Sequence, residues 1–314
     1  MSVPKNEYIS AIWKDEIFKD RVVFCTGGAG TICSAQVRAL VHLGANACII
    51  GRNDEKTQDM AQSIATARPG AQVIGIGGVD VRKLDSLETA VQQTIKKFGR
   101  IDYVIAGAAG NFLAPITSLS SNAFKSVVDI DLLGSYNTFK ATASHLIRSA
   151  AENPSPGVTT GGRIIFISAT FHFTGMPFQA HVASAKAGVD ALAANIALEY
   201  GPMGVTSNVI SPGGISDTEG IQRLSRKESR DSGRAGRGIP LGRYGLVKEI
   251  ADATVYLLAE SGNYVNGHVL VVDGGAWRLP DVAGASGGIG YPDIVLGNFD
   301  LANDIKTGRS ASKL

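Results

Sequence analysis

Neither sign of charge dominates this 314-residue chain: 30 lysines and arginines stand against 28 aspartates and glutamates, a formal net charge of +2. That balance gives no electrostatic footprint for a polyanion, so nucleic acid is not an expected partner. Cysteine is scarce. The three residues, Cys25, Cys33 and Cys48, form no C-x-x-C pair and no zinc-type cluster, so no metal is expected and a disulfide framework is not demanded. No apolar run reaches membrane-spanning length, and the opening MSVPKNEYISAIWKDEIFKD contains no signal-peptide core. There is no internal repeat and no strong linker.

What the chain does have is an ordinary globular composition, 44% hydrophobic and 18% charged, with 38 glycines, several of them where strands end. The length suits one domain, expected over residues 21–278. Residues 1–20 read as a lead-in whose Ile12, Trp13, Ile17 and Phe18 cover an edge. Residues 279–314 read as an extension ending in Ser312-Lys313-Leu314, the address read by the peroxisomal import receptor. A peroxisomal location is therefore expected.

Apolar, strand-like runs alternate with helical periodicities. The runs fall at 22–24, 47–50, 71–81, 101–110, 162–170, 205–213 and 268–275. Helical patterns fill 35–43, 55–67, 85–98, 123–150, 182–200 and 247–260, the fourth of them interrupted by Asp129, Asp131 and Gly134. This alternation predicts an α/β fold: a Rossmann-type, doubly wound parallel sheet of about seven strands in a three-layer α/β/α sandwich. Ligands in such sheets bind outside the carboxyl ends of the strands, so the residues that follow each strand are the ones to watch.

The first unit, Arg21 to Asn53, places a glycine turn between a strand and a helix, where backbone N–H groups can hold a pyrophosphate. Read as Thr-Gly-x-x-x-Gly-x-Gly, its second and third glycines are Thr31 and Cys33. Cofactor contacts are expected from Thr26, Gly27, Gly28, Gly30, Thr31 and Ile32, and from Asp80, which is expected to end the third strand, and Val81. Further contacts are expected from Ala108 and Gly110 in AGAAG, and from Pro212, Gly213 and Ile215 after the sixth strand. Arg52 stands where an acidic residue would hold a ribose 2'-hydroxyl, and a guanidinium there suits a 2'-phosphate. NADPH is therefore the expected carrier, with a solvated surface arginine as the bland alternative. Lys186, flanked by small apolar residues, is placed to reach the nicotinamide ribose, and Ser168 to point into the same cleft.

TGGAG, AGAAG, Ser168, Lys186, SPGG and VDGG, in this order and spacing, resemble the short-chain dehydrogenase/reductase superfamily over roughly Phe18 to Trp277. The typical family acid, a tyrosine four residues before the lysine, is here Val182, and the usual serine one place after Ser168 is Ala169. The segments AGNFLAPITSLSSNAFKSVVDIDLLGSYN, FISATFHFTG and HVASAKAGVDALAANIALEYGPMGVTSNVISPGGI resemble the 2,4-dienoyl-CoA reductase branch, the peroxisomal type with its fungal members. The mitochondrial type's tyrosine corresponds to Phe171. The resemblance implies that the catalytic pair is Asp131 and Lys186, and that the reaction is NADPH-dependent reduction of 2,4-dienoyl-CoA to 3-enoyl-CoA. In it, hydride goes to the distal diene carbon, and a water held by the pair protonates the alpha carbon.

A carboxylate on an apolar helix turn is costly to bury, which independently singles out Asp131; backbone or solvent bonding is the alternative. Asn111, Phe112, Ser168 and Phe171 are expected to touch a fatty acyl-CoA substrate. Arg223 and Arg226, within a basic stretch, either draw the coenzyme A phosphates or form a solvated face. His181 neighbours the missing tyrosine's position but is expected to point differently along the helix and not to serve as the acid, and His172 is a weak candidate acid. A homodimer or homotetramer is implied. Two other readings stay open: a trans-2-enoyl-CoA or other acyl-CoA reductase, and a non-catalytic nucleotide-binding protein.

Overall fold

The computed structural model describes residues 3–152, 161–218, 221 and 239–279. Seven strands, all paired in parallel, make one sheet in the order β3-β2-β1-β4-β5-β6-β7. They are β1 (Val22–Thr26), β2 (Asn46–Ile50), β3 (Val73–Ile76), β4 (Tyr103–Ala106), β5 (Arg163–Ile167), β6 (Thr206–Pro212) and β7 (Val269–Val272). The helices are α1 (Thr31–His42), α2 (Asp54–Ala65), α3 (Leu84–Phe98), α4 (Ser121–Val128), α5 (Gly134–Ala151), α6 (Phe171–Thr174), α7 (Ala180–Tyr200) and α8 (Val247–Leu258). The expected doubly wound sandwich is present.

Alternation along the central strands builds the three layers. Val23 and Cys25 of β1, Ala47 and Ile49 of β2, and Tyr103 and Ile105 of β4 face the core under α1 and α8. Phe24, Cys48, Ile50, Val104 and Ala106 face the core under α3, α5 and α7. Both faces are covered, so these strands read as nearly unbroken apolar runs. The strand order reverses between β1 and β4, which opens a crevice at their carboxyl ends.

The lead-in does not cover a sheet edge. The edges are β3 and β7, whereas Tyr8, Ile9 and Phe18 join the core with α1 and α8, and Ser10 and Trp13 both donate to the Asp252 carboxylate on α8. Ile12, expected to be buried, is 81% exposed. Only part of a short irregular segment can face the helix layer, and Asp252 anchors the Trp13 side.

All three cysteines are buried and free, and burial pushes the Cys48 thiol up to about 12. Asp102 and Arg163, two buried charges away from the crevice, are held by hydrogen bonds. Asp102, before β4, takes hydrogen bonds from Val22 N–H, Ser149 Oγ and the Arg100 guanidinium. Arg163 bonds the Leu257 and Ala259 carbonyls at the end of α8. Among the described residues no helix is long and apolar enough to cross a membrane, and no group of three or more His, Cys, Asp or Glu is arranged to hold a metal.

Candidate active site

At the crevice, Gly27 adopts φ +66°, and a Cβ there would lie 2.9 Å from Ala108 Cα and from the Gly107 carbonyl oxygen. A Cβ on Gly28 would come within 2.5 Å of the Ile49 Cβ. Only glycine lets the turn lie this close to β2 and β4. Gly30 then caps α1 without a side chain, which leaves the first-turn N–H groups of Thr31 and Ile32 free of intrahelical partners. This is a cradle for a phosphate, and the residues present fit a dinucleotide.

The altered glycine motif has a physical compensation. Cys33 occupies the third glycine position, and its Sγ fills the space a side chain on residue 107 would need; a Cβ at Gly107 would sit 2.2 Å from it. At this contact the position without a side chain is Gly107, at the exit of β4. Thr26 does not turn toward the cleft: it is 1% exposed, and its Oγ1 accepts from Gly107 N–H (3.1 Å) and Ala108 N–H (3.3 Å). Its part is to shape the cradle.

A cleft of about 230 Å³ runs over Gly27, Ala29 and Gly30, lined also by Arg52, Asn53, Lys56, Asp80, Val81 and Ala108. Arg52 is exposed at the end of β2, and no hydrogen bond or ion pair joins its side chain to the described residues. Lys56, which sequence reading passed over, shares this rim. The signal was Asn53: its Oδ1 caps α2 by accepting the Lys56 N–H (2.8 Å), so Lys56 sits in the first turn beside the cleft. Asp80 lies four residues beyond the end of β3 and does not terminate it as expected; the Gly77-Gly78 turn intervenes. Its carboxylate is held by the Arg82 guanidinium (2.6 and 2.9 Å), which keeps its pKa below the usual carboxylate range. Pro212, Gly213 and Ile215 follow β6 and are not among the cleft's lining residues. Gly213 packs on Asp273, and Ile215 is buried in a bridge to Gly245.

The reaction side lies across β4 and β5. The interruption in the fourth helical pattern is a π-helical turn, Asp129–Leu133, joining α4 to α5. Such a turn adds a residue to the helix and re-aims its side chains. It carries Asp131 inward to complete burial, while Asp129 faces out and pairs with Lys125. Leu132 then seats against Gly188 of α7, where a Cβ would come within 2.7 Å.

Asp131 Oδ1 accepts the Gly110 N–H at 2.7 Å, and Oδ2 lies 3.1 Å from Lys186 Nζ. That second contact joins the charges without hydrogen-bond geometry, so Oδ2 keeps its accepting capacity. Lys186, 6% exposed, donates to the Ile167 carbonyl at 2.9 Å. Ser168, next in the chain, is buried with its Oγ unpaired. Val182 is packed in the interior, so no acid replaces the missing tyrosine there.

Asn111 and Phe112 continue from Gly110, and Phe171 begins α6 at the exit of β5. His181 packs at the exit of β4. It is fully buried, its ring 4.3 Å from that of Phe112, and neither ring nitrogen has a hydrogen-bond partner among the described residues. Burial holds its pKa below the ordinary histidine range, against the opposing pull of the Phe112 main chain and the Asp131 carboxylate. Helix α7 begins two residues earlier than the periodicity suggested, at Ala180, so His181 is held as a helical residue against the β4 exit. His172 is committed elsewhere, between the Ala169 carbonyl and Asp190 of α7. Arg223, Arg226 and the terminal Ser312-Lys313-Leu314 lie outside the described residues.

A profile described as Enoyl-(Acyl carrier protein) reductase matches residues 27–276. The chain is 51% identical over 268 residues to a Saccharomyces cerevisiae protein named peroxisomal 2,4-dienoyl-CoA reductase, (3E)-enoyl-CoA-producing, covering 85% of this chain and 87% of that one. The chain belongs to the short-chain dehydrogenase/reductase family. An Arabidopsis thaliana relative carrying the same description is 38% identical, over 84% of this chain and 87% of its own. Among solved structures, a short-chain dehydrogenase from Bacillus anthracis superposes with a TM-score of 0.70 at 33% identity, covering 82% of this chain and 97% of that one. Levodione reductase gives 0.74 at 27% identity, covering 83% and 99%. Membership of this family implies a nicotinamide cofactor, and the glycine cradle fits its phosphates.

Proposed function

We propose that this protein is an NADPH-dependent 2,4-dienoyl-CoA reductase that forms 3-enoyl-CoA during peroxisomal breakdown of unsaturated fatty acids. The observation that carries this reading is the enclosed Asp131–Lys186 pair facing the crevice where Val182 replaces the family's usual acid. The relatives' descriptions support the same substrate class.

Arg52 and Lys56 on the cleft rim suit a 2'-phosphate, which favours NADPH over NADH. Bound in this cleft, the cofactor supplies a hydride. The conjugated thioester accepts it at the distal diene carbon, and the electron pair moves through the diene to the thioester oxygen. That oxygen needs donors rather than a strong acid, so loss of the tyrosine is tolerated. Asp131 Oδ2 and the Lys186 ammonium can hold a water between opposite charges, and that water delivers the proton to the alpha carbon as the electron pair returns. Asn111, Phe112, Ser168 and Phe171 surround the acyl head, and Arg223 and Arg226 attract the coenzyme A phosphates. Homodimeric or homotetrameric assembly, and import through Ser312-Lys313-Leu314, complete the proposal.

The direct test mixes protein, NADPH and 2,4-hexadienoyl-CoA and follows loss of dienoyl absorbance. Turnover supports the reading. Inertness toward this substrate with turnover of a 2-enoyl-CoA would favour the second reading, which the description of the matching profile suggests.

A further inference from the structure

Buried polar atoms ordinarily find partners, and those that do not mark places where something else belongs. Among the described residues such atoms occur at several places, and one group of them belongs to the reaction side: Asn111 Oδ1, Asp131 Oδ2, Ser168 Oγ, Gln179 Oε1 and both ring nitrogens of His181. The chain ties them together. Asp131 bonds the Gly110 N–H, one residue before Asn111; Gln179 Nε2 donates to the Phe112 carbonyl; the Phe112 ring lies against His181; and Lys186 anchors on Ile167, one residue before Ser168. Most of these free atoms are acceptors. Asp131 is a carboxylate, and Gln179 has spent its amide on Phe112, which leaves its oxygen free. The site therefore carries a surplus of acceptors and few donors, while the reaction proposed above places negative charge on a thioester oxygen.

We propose that His181 is a further catalytic residue whose imidazole N–H donates a hydrogen bond to the thioester oxygen of the bound acyl-CoA. A neutral imidazole holds one N–H, and no hydrogen bond of good geometry ties it to the described protein, the Phe112 main chain being the acceptor that pulls on it. Complete burial means that bulk water does not satisfy it. Its environment favours the neutral ring. The tilted contact with Phe112 orients the ring at the β4 exit, and the Phe112 ring, itself partly exposed, has to yield for a thioester oxygen to reach the N–H. His181 thus takes up the oxygen-facing task next to the position where the family's tyrosine is absent. The inference rests on the acyl-CoA reductase reading, and its test separates the two.

The test uses 2,4-hexadienoyl-CoA carrying 13C at the thioester carbonyl, bound to the whole protein without reductant. Isotope-edited infrared spectroscopy reads the carbonyl stretch. Wild type is expected to lower the frequency relative to free thioester. His181→Phe, which keeps a ring against Phe112 and deletes the N–H, is expected to lose that shift and about 100-fold in kcat, with the KM for NADPH unchanged. His181→Gln, which restores a donor, is expected to recover part of both. A folded His181→Phe with the wild-type band and kcat overturns the proposal. Should that variant fail to fold, the ring N–H signal of 15N-histidine-labelled wild type decides: movement on adding crotonyl-CoA supports the assignment, and no movement overturns it. A carbonyl shift that depends on His181 without dienoyl reduction would remove the proposed reaction and leave this assignment standing.

Discussion

Asp131 and Lys186 meet across the interior with Oδ2 3.1 Å from Nζ, the carboxylate fully buried and the ammonium nearly so. Asp102, the other carboxylate at 0% exposure among the described residues, sits at the opposite end of the sheet with both oxygens hydrogen-bonded. Asp131 keeps one oxygen free of hydrogen bonds. A pair that served stability alone would be expected to saturate its oxygens, because an incompletely satisfied buried charge is expensive.

The first prediction concerns that pair. Asp131→Asn keeps an oxygen for the Gly110 N–H and deletes the charge; kcat should fall about 100-fold, the scale of positioned proton transfer, with the KM for NADPH little changed. Lys186→Ala should lose rate and raise the NADPH KM together. Steady-state kinetics on both variants checks this, and full kcat in Asp131→Asn would remove the proton role. Asp131→Ala is a poorer probe, because stranding the buried ammonium costs about 3–5 kcal/mol of stability.

The contact between Gly107 and Cys33 gives a stability cycle. Gly107→Ala places a Cβ 2.2 Å from Cys33 Sγ and should destabilise by about 1–3 kcal/mol, the usual range for overpacking. Cys33→Ala removes the obstructing sulfur, so the double variant should be more stable than the sum of the singles predicts. Denaturant midpoints of the four proteins measure this. Strict additivity would show that the two positions do not share the space.

How far could the sequence be read? The sheet was legible because β1, β2 and β4 are buried on both faces and so appear as apolar runs, and the helices between them keep their own period. The glycine turn was legible as a cradle, but Cys33 looked like damage because its compensation at Gly107 lies 74 residues away. Asp131 stood out as a carboxylate among apolar residues; the π turn that aims it is a backbone event that periodicity registers only as an interruption. The burial of His181 against Phe112 was not legible, because helix start and side-chain direction are set by packing. Ile12 was misjudged because an apolar residue in an irregular segment has no period to say which way it faces.

Carrier choice is the third prediction. Arg52→Ala should raise the KM for NADPH about 10- to 100-fold, the worth of one charge-assisted hydrogen bond, and leave the KM for NADH nearly unchanged. Lys56→Ala should act in the same direction more weakly, as a point charge rather than a planar fork. Kinetics with both nucleotides checks this; equal losses for the two would place Arg52 away from the 2'-phosphate.

The fourth prediction is a pH dependence. His181 has a folded pKa below the ordinary value of 6.5, so the unfolded chain binds a proton that the folded chain refuses. The stability from keeping it neutral is present above about pH 6.5 and is lost as pH falls toward the folded pKa. Melting temperature should therefore drop between pH 7 and pH 5.5, and drop less in His181→Phe. His145 is shifted the same way by burial and Arg148, so the comparison of variant with wild type carries the result. Identical profiles in the two proteins would contradict it.

The central claim is that hydride enters at the far end of the diene and the proton at the alpha carbon. Reduction of 2,4-hexadienoyl-CoA with NADPH deuterated at the transferring position, followed by NMR of the product, tests it most directly. The account predicts deuterium at C5, solvent hydrogen at C2 and a double bond between C3 and C4. Deuterium at C3, or a product double bond between C2 and C3, would contradict it.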